Sequence, residues 1–388
     1  MKTFSRKSFR LLSLLPLLLL TAPIATAVAH SSFPSQGGSV FIMSNSPAGN
    51  SILAYNRSPD GFLTFEGSFA TGGLGASGLT GTNQGGVTLS QDGAWLFAVD
   101  AGSNQLSVFN VIDGPSTSLV LTDVVSSGGV YPISVTTSSQ GFGNGFGTKP
   151  FVYVLDAGSA SVAANIAGLY LNNRGTLSPI PGSIQPLSGI TQPAQISFNP
   201  EGTVLAVTEK STNSIDTYTV DHFGVASGPT ITPSIGGTPF GFAFDNQGQL
   251  IVSDASSDAL SSYSVSNSGS VTAIAPSPVS NGGQAAPCWV VVTADGRLAF
   301  SANAHVGTIS SYSISYSGSL TLLQSTAAPT AIGIPDLDMA LSGNSNFLYV
   351  YDAGTNTIQA FAVHSDGTLT SIQTVSGIPA GADGLAAN

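Results

Sequence analysis

The chain has 388 residues, of which 42% are hydrophobic, 7% are charged and 46 are glycine, and its formal net charge is −11. So acidic a chain repels nucleic acid and anionic lipid, while its supply of Val, Ile, Phe and Tyr excludes a disordered tail. A single cysteine, Cys288, permits no internal disulfide, so a large apolar core must carry the fold.

Residues 1–29 read as a secretory signal peptide. Lys2, Arg6, Lys7 and Arg10 precede an apolar run from Leu11 to Leu20, and small residues follow as far as Ala27 and Ala29. The apolar run is too short to span a bilayer, and later ones are broken by Gly, Ser or Asp, so no membrane segment is expected. The mature protein is therefore expected to be secreted or periplasmic. Cleavage leaves five Lys and Arg against 20 Asp and Glu, a balance of −15.

Residues 30–38 form a short lead-in, and residues 39–388 repeat one unit. VDAGSNQLSVFNV, Val99 to Val111, returns as YDAGTNTIQAFAV, Tyr351 to Val363. The acid or amide at the end of the first apolar run recurs as Asn45, Asp100, Asp156, Glu209, Asp254, Asn303 and Asp352, at intervals of 55, 56, 53, 45, 49 and 49 residues. Those intervals fall at or just beyond the period of propeller blades. An aromatic nine positions on returns as Phe109, Tyr218, Tyr263, Tyr312 and Phe361, with insertions placed at Pro47 to Asn50 and at Ala163 to Ala167.

Each unit also carries two glycine turns, as in PEGTVLAV and NQGQLIV before the anchor and NRGTLSPI and YSGSLTL after the aromatic. Short alternating runs joined in this way are antiparallel hairpins. The fold expected is all-β, a seven-bladed propeller with four antiparallel strands, A to D, in each blade. The first blade lacks a strand A ahead of Ser39, so Ala380 to Asn388 is expected to supply it and close the ring. A ring without free edges is expected to be a monomer.

In a propeller the start of strand A and the end of strand B share a face. The anchors and the crossover prolines Pro132, Pro193, Pro239, Pro287 and Pro335 should therefore surround one mouth of the channel. Asp and Asn at a strand end bond their own backbone two residues on, which makes turn formation the main reading of the anchors. The competing reading has Asp100, Asp156, Glu209, Asp254 and Asp352 crowding the mouth to bind a ligand or a cation. Glu209 stands out, because Glu is a poorer turn former than Asp and suits acid–base work. His305, two residues after Asn303, is a second candidate. Gln195, Lys210, Phe240 and Trp289 lie near the same mouth as candidate ligand contacts. No Gly-x-Ser-x-Gly elbow, His-rich metal motif or phosphate loop is present, so no cofactor or metal is expected.

The segments FAVDAGSNQLSVFNV, QPAQISFNPEGTVLAVTEKSTNSIDTYTVD, TPFGFAFD and CWVVVTADGRLAFSANAHVGTISSYSI resemble the seven-bladed lactonase propellers, the group of 6-phosphogluconolactonase and carboxymuconate cyclase. The resemblance implies a His after a strand-A proline, an Arg in a Pro-Arg-His step, and a Glu at the end of the next strand B. Glu209 matches the last of these, whereas Ile133 follows Pro132, and Ala194 and Gln195 follow Pro193. An acidic mouth without those cations would repel a phosphorylated or carboxylated substrate. Two readings follow: a hydrolase acting on a small neutral lactone or sugar with Glu209 as base, and a non-catalytic propeller that binds a glycan, peptide or surface partner at the mouth.

Overall fold

The computed structural model describes residues 1–2, 37–76, 83–112, 114, 116–138, 150–189, 192–330 and 337–388, with Leu337 by its backbone alone. All but the first two residues of the expected signal peptide, together with residues 77–82 and the expected crossover at Pro335, lie outside these residues. Every regular element among them is a β-strand, and the strands pair into seven antiparallel sheets. Blade four is typical: strand A is Pro193–Phe198, B is Val204–Glu209, C is Ser214–Val220 and D is Ala226–Pro233. Strand D is split in blades three and five, where two short segments pair with strand C.

The burial pattern explains the strand sequences. Blades stack face to face, so the middle strands lose water on both sides and read as continuous apolar runs. Phe151–Asp156, FVYVLD, is buried at every position, whereas the outer strand Leu369–Ser376 has no fully buried residue. The innermost strands touch in order around a ring, from Asp383–Ala387 through Val87–Leu89, Pro132–Thr137, Pro193–Phe198, Pro239–Phe244, Pro287–Val292 and Leu337–Leu341 back to the first.

The ring closes with the C-terminal strand. Asp383–Ala387 pairs antiparallel with Gly38–Met43, with Val40 opposite Ala387 and Ile42 opposite Leu385. Beyond the strand, Asn388 Oδ1 accepts the Ser39 amide at 2.5 Å, and the buried Arg57 guanidinium donates to the Asn388 carbonyl at 3.0 and 3.2 Å.

Neighbouring blades are joined by a repeated clasp. Tyr131, Gln192, Thr238 and Ala286, each directly before a strand-A proline, hold positive φ values of 63°, 45°, 57° and 54°. A left-handed non-glycine residue costs roughly 1–2 kcal/mol. Both of its backbone groups are engaged in compensation. The amides of Tyr131, Thr238 and Ala286 donate to Asn104, Asn213 and Asp258 in the B–C turn of the preceding blade, at 2.8, 2.7 and 2.9 Å. Their carbonyls accept from Ala157, Ala255 and Ala304 in the blade that follows.

Two B–C turns are longer than the four residues found elsewhere: Ser44–Asn50 in blade one and Ala157–Ala164 in blade three. The second lies nearer its anchor than the sequence spacing suggests, because Asn165–Leu171 already belongs to strand C. The channel itself is crossed by the chain. Gln84, ahead of strand A in blade two, donates its backbone amide to Ala194 of blade four, and its side chain exchanges two hydrogen bonds with the backbone of Val290 in blade six. Asn83 bridges to the Ile133 carbonyl and to Asp383.

Removing residues 383–388 would leave the inner edge of Gly38–Met43 unpaired and take the buried Leu385 and Ala386 out of the core. The expected loss is roughly 3 kcal/mol or more from apolar burial and ladder hydrogen bonds, read as a lower melting temperature and as self-association by light scattering. A truncated chain that melts like the full one and stays monomeric would contradict the closure.

Candidate functional site

Six of the seven anchors occupy the last position of a strand B, and all seven are at most 1% exposed. Their side chains point into the seams between blades more than into their own turns. Asp100 accepts from Ser107 at 2.5 Å, from Thr71 at 2.7 Å and from Asn50 at 2.9 Å. Asp156 accepts from Ser127 at 2.6 Å, and Asp254 from Ser261 and Ser234. Asn303 donates to Ser310 and accepts from Asn281. One partner follows strand D of the previous blade and the other lies seven positions after the anchor. Turn formation, expected for most anchors, holds for Asp352, which takes the amides of Gly354 and Thr355. Asp100, Asp156 and Asp254 are seam groups, because a buried carboxylate with few cations in the chain must find its donors among hydroxyls and amides.

Burial sets the protonation of these acids. It pushes Asp156 up to about 6 and Asp254 up to about 7, against the weaker opposing pull of their serine hydroxyls, and it raises Asp100 as well. Asp100, Asp156, Asp254, Asn303 and Asp352 thus have no surface with which to meet a ligand at the mouth. Among the described residues no three His, Cys, Asp or Glu side chains converge as a metal-holding group.

The anchor face does carry a pocket of about 610 Å³, between blades three and four. The long B–C turn of blade three forms one wall through Ala157, Val162 and Ala164, and Leu187 and Gly189 form another. Tyr131 and Ile133 come from the crossover into blade three, and Lys210 from the turn after Glu209. The lining is mainly apolar, and Lys210 is its one side chain of full charge among the described residues. Burial pulls the Lys210 ammonium down to about 8, opposed by nearby Cys288, and Nζ sits 4.6 Å from the Phe240 ring centroid. Phe240 and Trp289, expected as ligand-stacking rings, are 5% and 1% exposed and pack on each other at 5.6 Å. Gln195 is also turned inward, accepting the Phe242 amide at 2.7 Å. His305 is exposed in the B–C turn of blade six and does not line this pocket.

Glu209 lies behind the pocket wall, fully buried. Ser188 gives it both the backbone amide and the hydroxyl, and Thr212 and Ser214 add hydroxyls at 2.6 and 3.1 Å. The Asp216 carboxyl rests against it in hydrogen-bonding contact. Burial first, and the Glu209 charge next, raise the Asp216 pKa far above the carboxylate range. Asp216 escaped the sequence reading, although the position seven residues after the anchor, filled by Ser107, Ser261 and Ser310 in other blades, carries a second acid in blade four alone.

The model of the lactonase seven-bladed β-propeller family matches residues 148–280, about a third of the chain. That segment includes Ala157, Leu187, Glu209, Lys210 and Asp216. The chain resembles the lactonase propellers. Among solved structures, a proposed 6-phosphogluconolactonase of Bacteroides fragilis superposes with a TM-score of 0.70 at 15% identity, over 91% of this chain and 98% of that one. A proposed 6-phosphogluconolactonase of Bacteroides uniformis gives 0.67 at 19%, over 90% and 99%. The periplasmic gluconolactonase of Pseudomonas aeruginosa gives 0.68 at 15%, over 88% and 97%. At such identities the likeness is one of fold. Sequence comparison with curated proteins finds no match.

The raised anchor acids make stability depend on pH with a definite sign. Below the ordinary carboxylate range both folded and unfolded chains hold these protons; above it the unfolded chain releases them first, so stability falls until the folded groups ionise near 6 and 7. Each group costs about 1.4 kcal/mol per pH unit within its window. Denaturant titrations from about pH 4 to pH 8 should show the decline, with a shallower slope for Asp254→Asn. Asp254→Ala should lose about 2 kcal/mol, since the buried Ser261 hydroxyl loses its acceptor.

Proposed function

We propose that this is an exported lactonase-type propeller that hydrolyses a small, uncharged cyclic ester in the pocket between blades three and four. The reading is supported above all by the coincidence of the pocket with the family match: the insertion that builds one wall and the lysine on the other both fall within residues 148–280. An apolar lining with one ammonium suits a ligand with an apolar or weakly polar body and one carbonyl to polarise. Lys210 is the one cation among the described lining residues, so the proposal is for uncharged and not phosphorylated lactones. The basic and apolar N-terminal residues support export, and no described helix is long and apolar enough to cross a membrane.

In the reaction, water or an enzyme nucleophile adds to the carbonyl carbon, negative charge builds on the carbonyl oxygen, and the ring C–O bond breaks to leave a hydroxy acid. Lys210 as ammonium stabilises the developing oxyanion. Its pKa near 8 requires activity dependent on that proton to persist below about pH 8 and to fade above it. A second reading, a propeller that binds a saccharide or peptide without turnover, draws on the complete burial of Glu209, which keeps the residue expected to act as base away from open solvent.

A panel of neutral and phosphorylated lactones, followed by acid release, separates the two. Turnover of neutral members, lowered about 10²-fold in Lys210→Met and falling above about pH 8, supports hydrolysis. Saturable saccharide or peptide binding with no turnover of any lactone supports the binding reading.

A further inference from the structure

Ser188 differs from its counterparts at the other seams. Thr71, Ser127 and Ser234 make the equivalent bond to an anchor acid while 0%, 1% and 8% exposed. Ser188 keeps partial exposure, and the residues on both sides of it, Leu187 and Gly189, line the pocket. Its hydroxyl donates a hydrogen bond to Glu209 Oε2. Glu209 in turn is backed by Asp216, whose Oδ2 is buried and meets no donor. Two carboxyl groups in contact away from water must share a proton, and an oxygen without a donor is the place for it. A hydroxyl bonded to a buried carboxylate that is oriented by a third group is the arrangement of an activated nucleophile.

We propose that Ser188, Glu209 and Asp216 form a nucleophile, base and orienting acid, and that lactone hydrolysis in this pocket proceeds through an ester on Ser188. Ser188 Oγ bonds to the carbonyl carbon as its proton passes to Glu209. The ring C–O bond breaks and the leaving alkoxide takes that proton. Water then attacks the ester, gives a proton through Glu209 back to Ser188 Oγ, and releases the hydroxy acid. Asp216 keeps its own proton throughout and holds Glu209 by donating to it. Lys210, the next residue after Glu209, lines the same pocket and supplies the cation for the oxyanion. The inference rests on the lactonase reading for its substrate, and on the geometry alone for its nucleophile.

The nucleophile is tested without any lactone. The full chain is incubated with a fluorophosphonate, and the modified residue is located by peptide mass spectrometry, with folding followed by thermal melts. The expected result is one adduct on Ser188, slowed at least tenfold in Glu209→Gln. Asp216→Asn should label at close to the wild-type rate, because its amide can donate the same bond, while Asp216→Ala should not. If Asp216→Ala fails to fold, the wild-type and Glu209→Gln labelling rates still decide the matter. No adduct on Ser188 in the folded wild type, or an unchanged rate in Glu209→Gln, overturns the assignment. Lactone turnover without Ser188 labelling leaves the proposed function standing and removes the triad. Labelling without turnover of any lactone keeps the nucleophile and removes the substrate class.

Discussion

Most seams between blades depend on one constraint: a carboxyl or amide buried at the end of strand B finds hydrogen bonds across the gap. Asp100 is held by Thr71 and Asn50 of blade one, Asp156 by Ser127 of blade two and Asp254 by Ser234 of blade four. An unpaired buried carboxyl is costly, so each of these three anchors fixes its blade against the one before it. The left-handed residues before the strand-A prolines are locked from both sides of the same seam. Apolar packing supplies most of the stability, but it is non-directional. The polar seam specifies the angle at which one blade meets the next.

Departures from that repeat build the pocket. The long B–C turn of blade three raises a wall where five of the other blades have four residues, and in blade four the seam acid is lengthened to Glu209 and doubled by Asp216. A repeated scaffold allows this, since a change in one seam leaves the other six intact. The charge balance acts in the same direction. With hydroxyls in place of arginines as partners, the seam acids keep raised pKa values, and the folded chain holds protons that the unfolded chain releases.

Much of the fold was legible in the sequence, because it rests on local signals that repeat. The period, the x-Gly turns and the missing first strand are each decided within a few residues, and the pairing of Val40 with Ala387 follows from them. The direction of the anchor side chains was not legible. Asp352 and Asp254 have the same local context, yet one caps its own turn and the other faces a serine twenty residues earlier. Local turn chemistry and seam chemistry favour the same residue types, so the sequence alone does not separate them. Phe240 and Trp289, candidate ligand contacts in the sequence, pack on each other for a related reason, since a ring beside the channel packs on its neighbour when a neighbouring ring is within reach. Asp216 broke a visible pattern, and comparison of the seventh position across blades would have found it.

Gln84 also bears on how the chain assembles. Its partners are Ala194 and Val290, more than one hundred and two hundred residues later in the chain. Synthesis delivers the glutamine long before either strand exists, and a contact of such sequence separation forms only after the loop closure that brings it together. The Gln84 contacts must therefore wait until blades four and six have formed. Blade two can pair its own strands early, yet its inner edge reaches its final position only as the ring draws in. The earliest blades to be made are in this respect among the last to be finished, and the glutamine across the channel acts as a keystone for the circle.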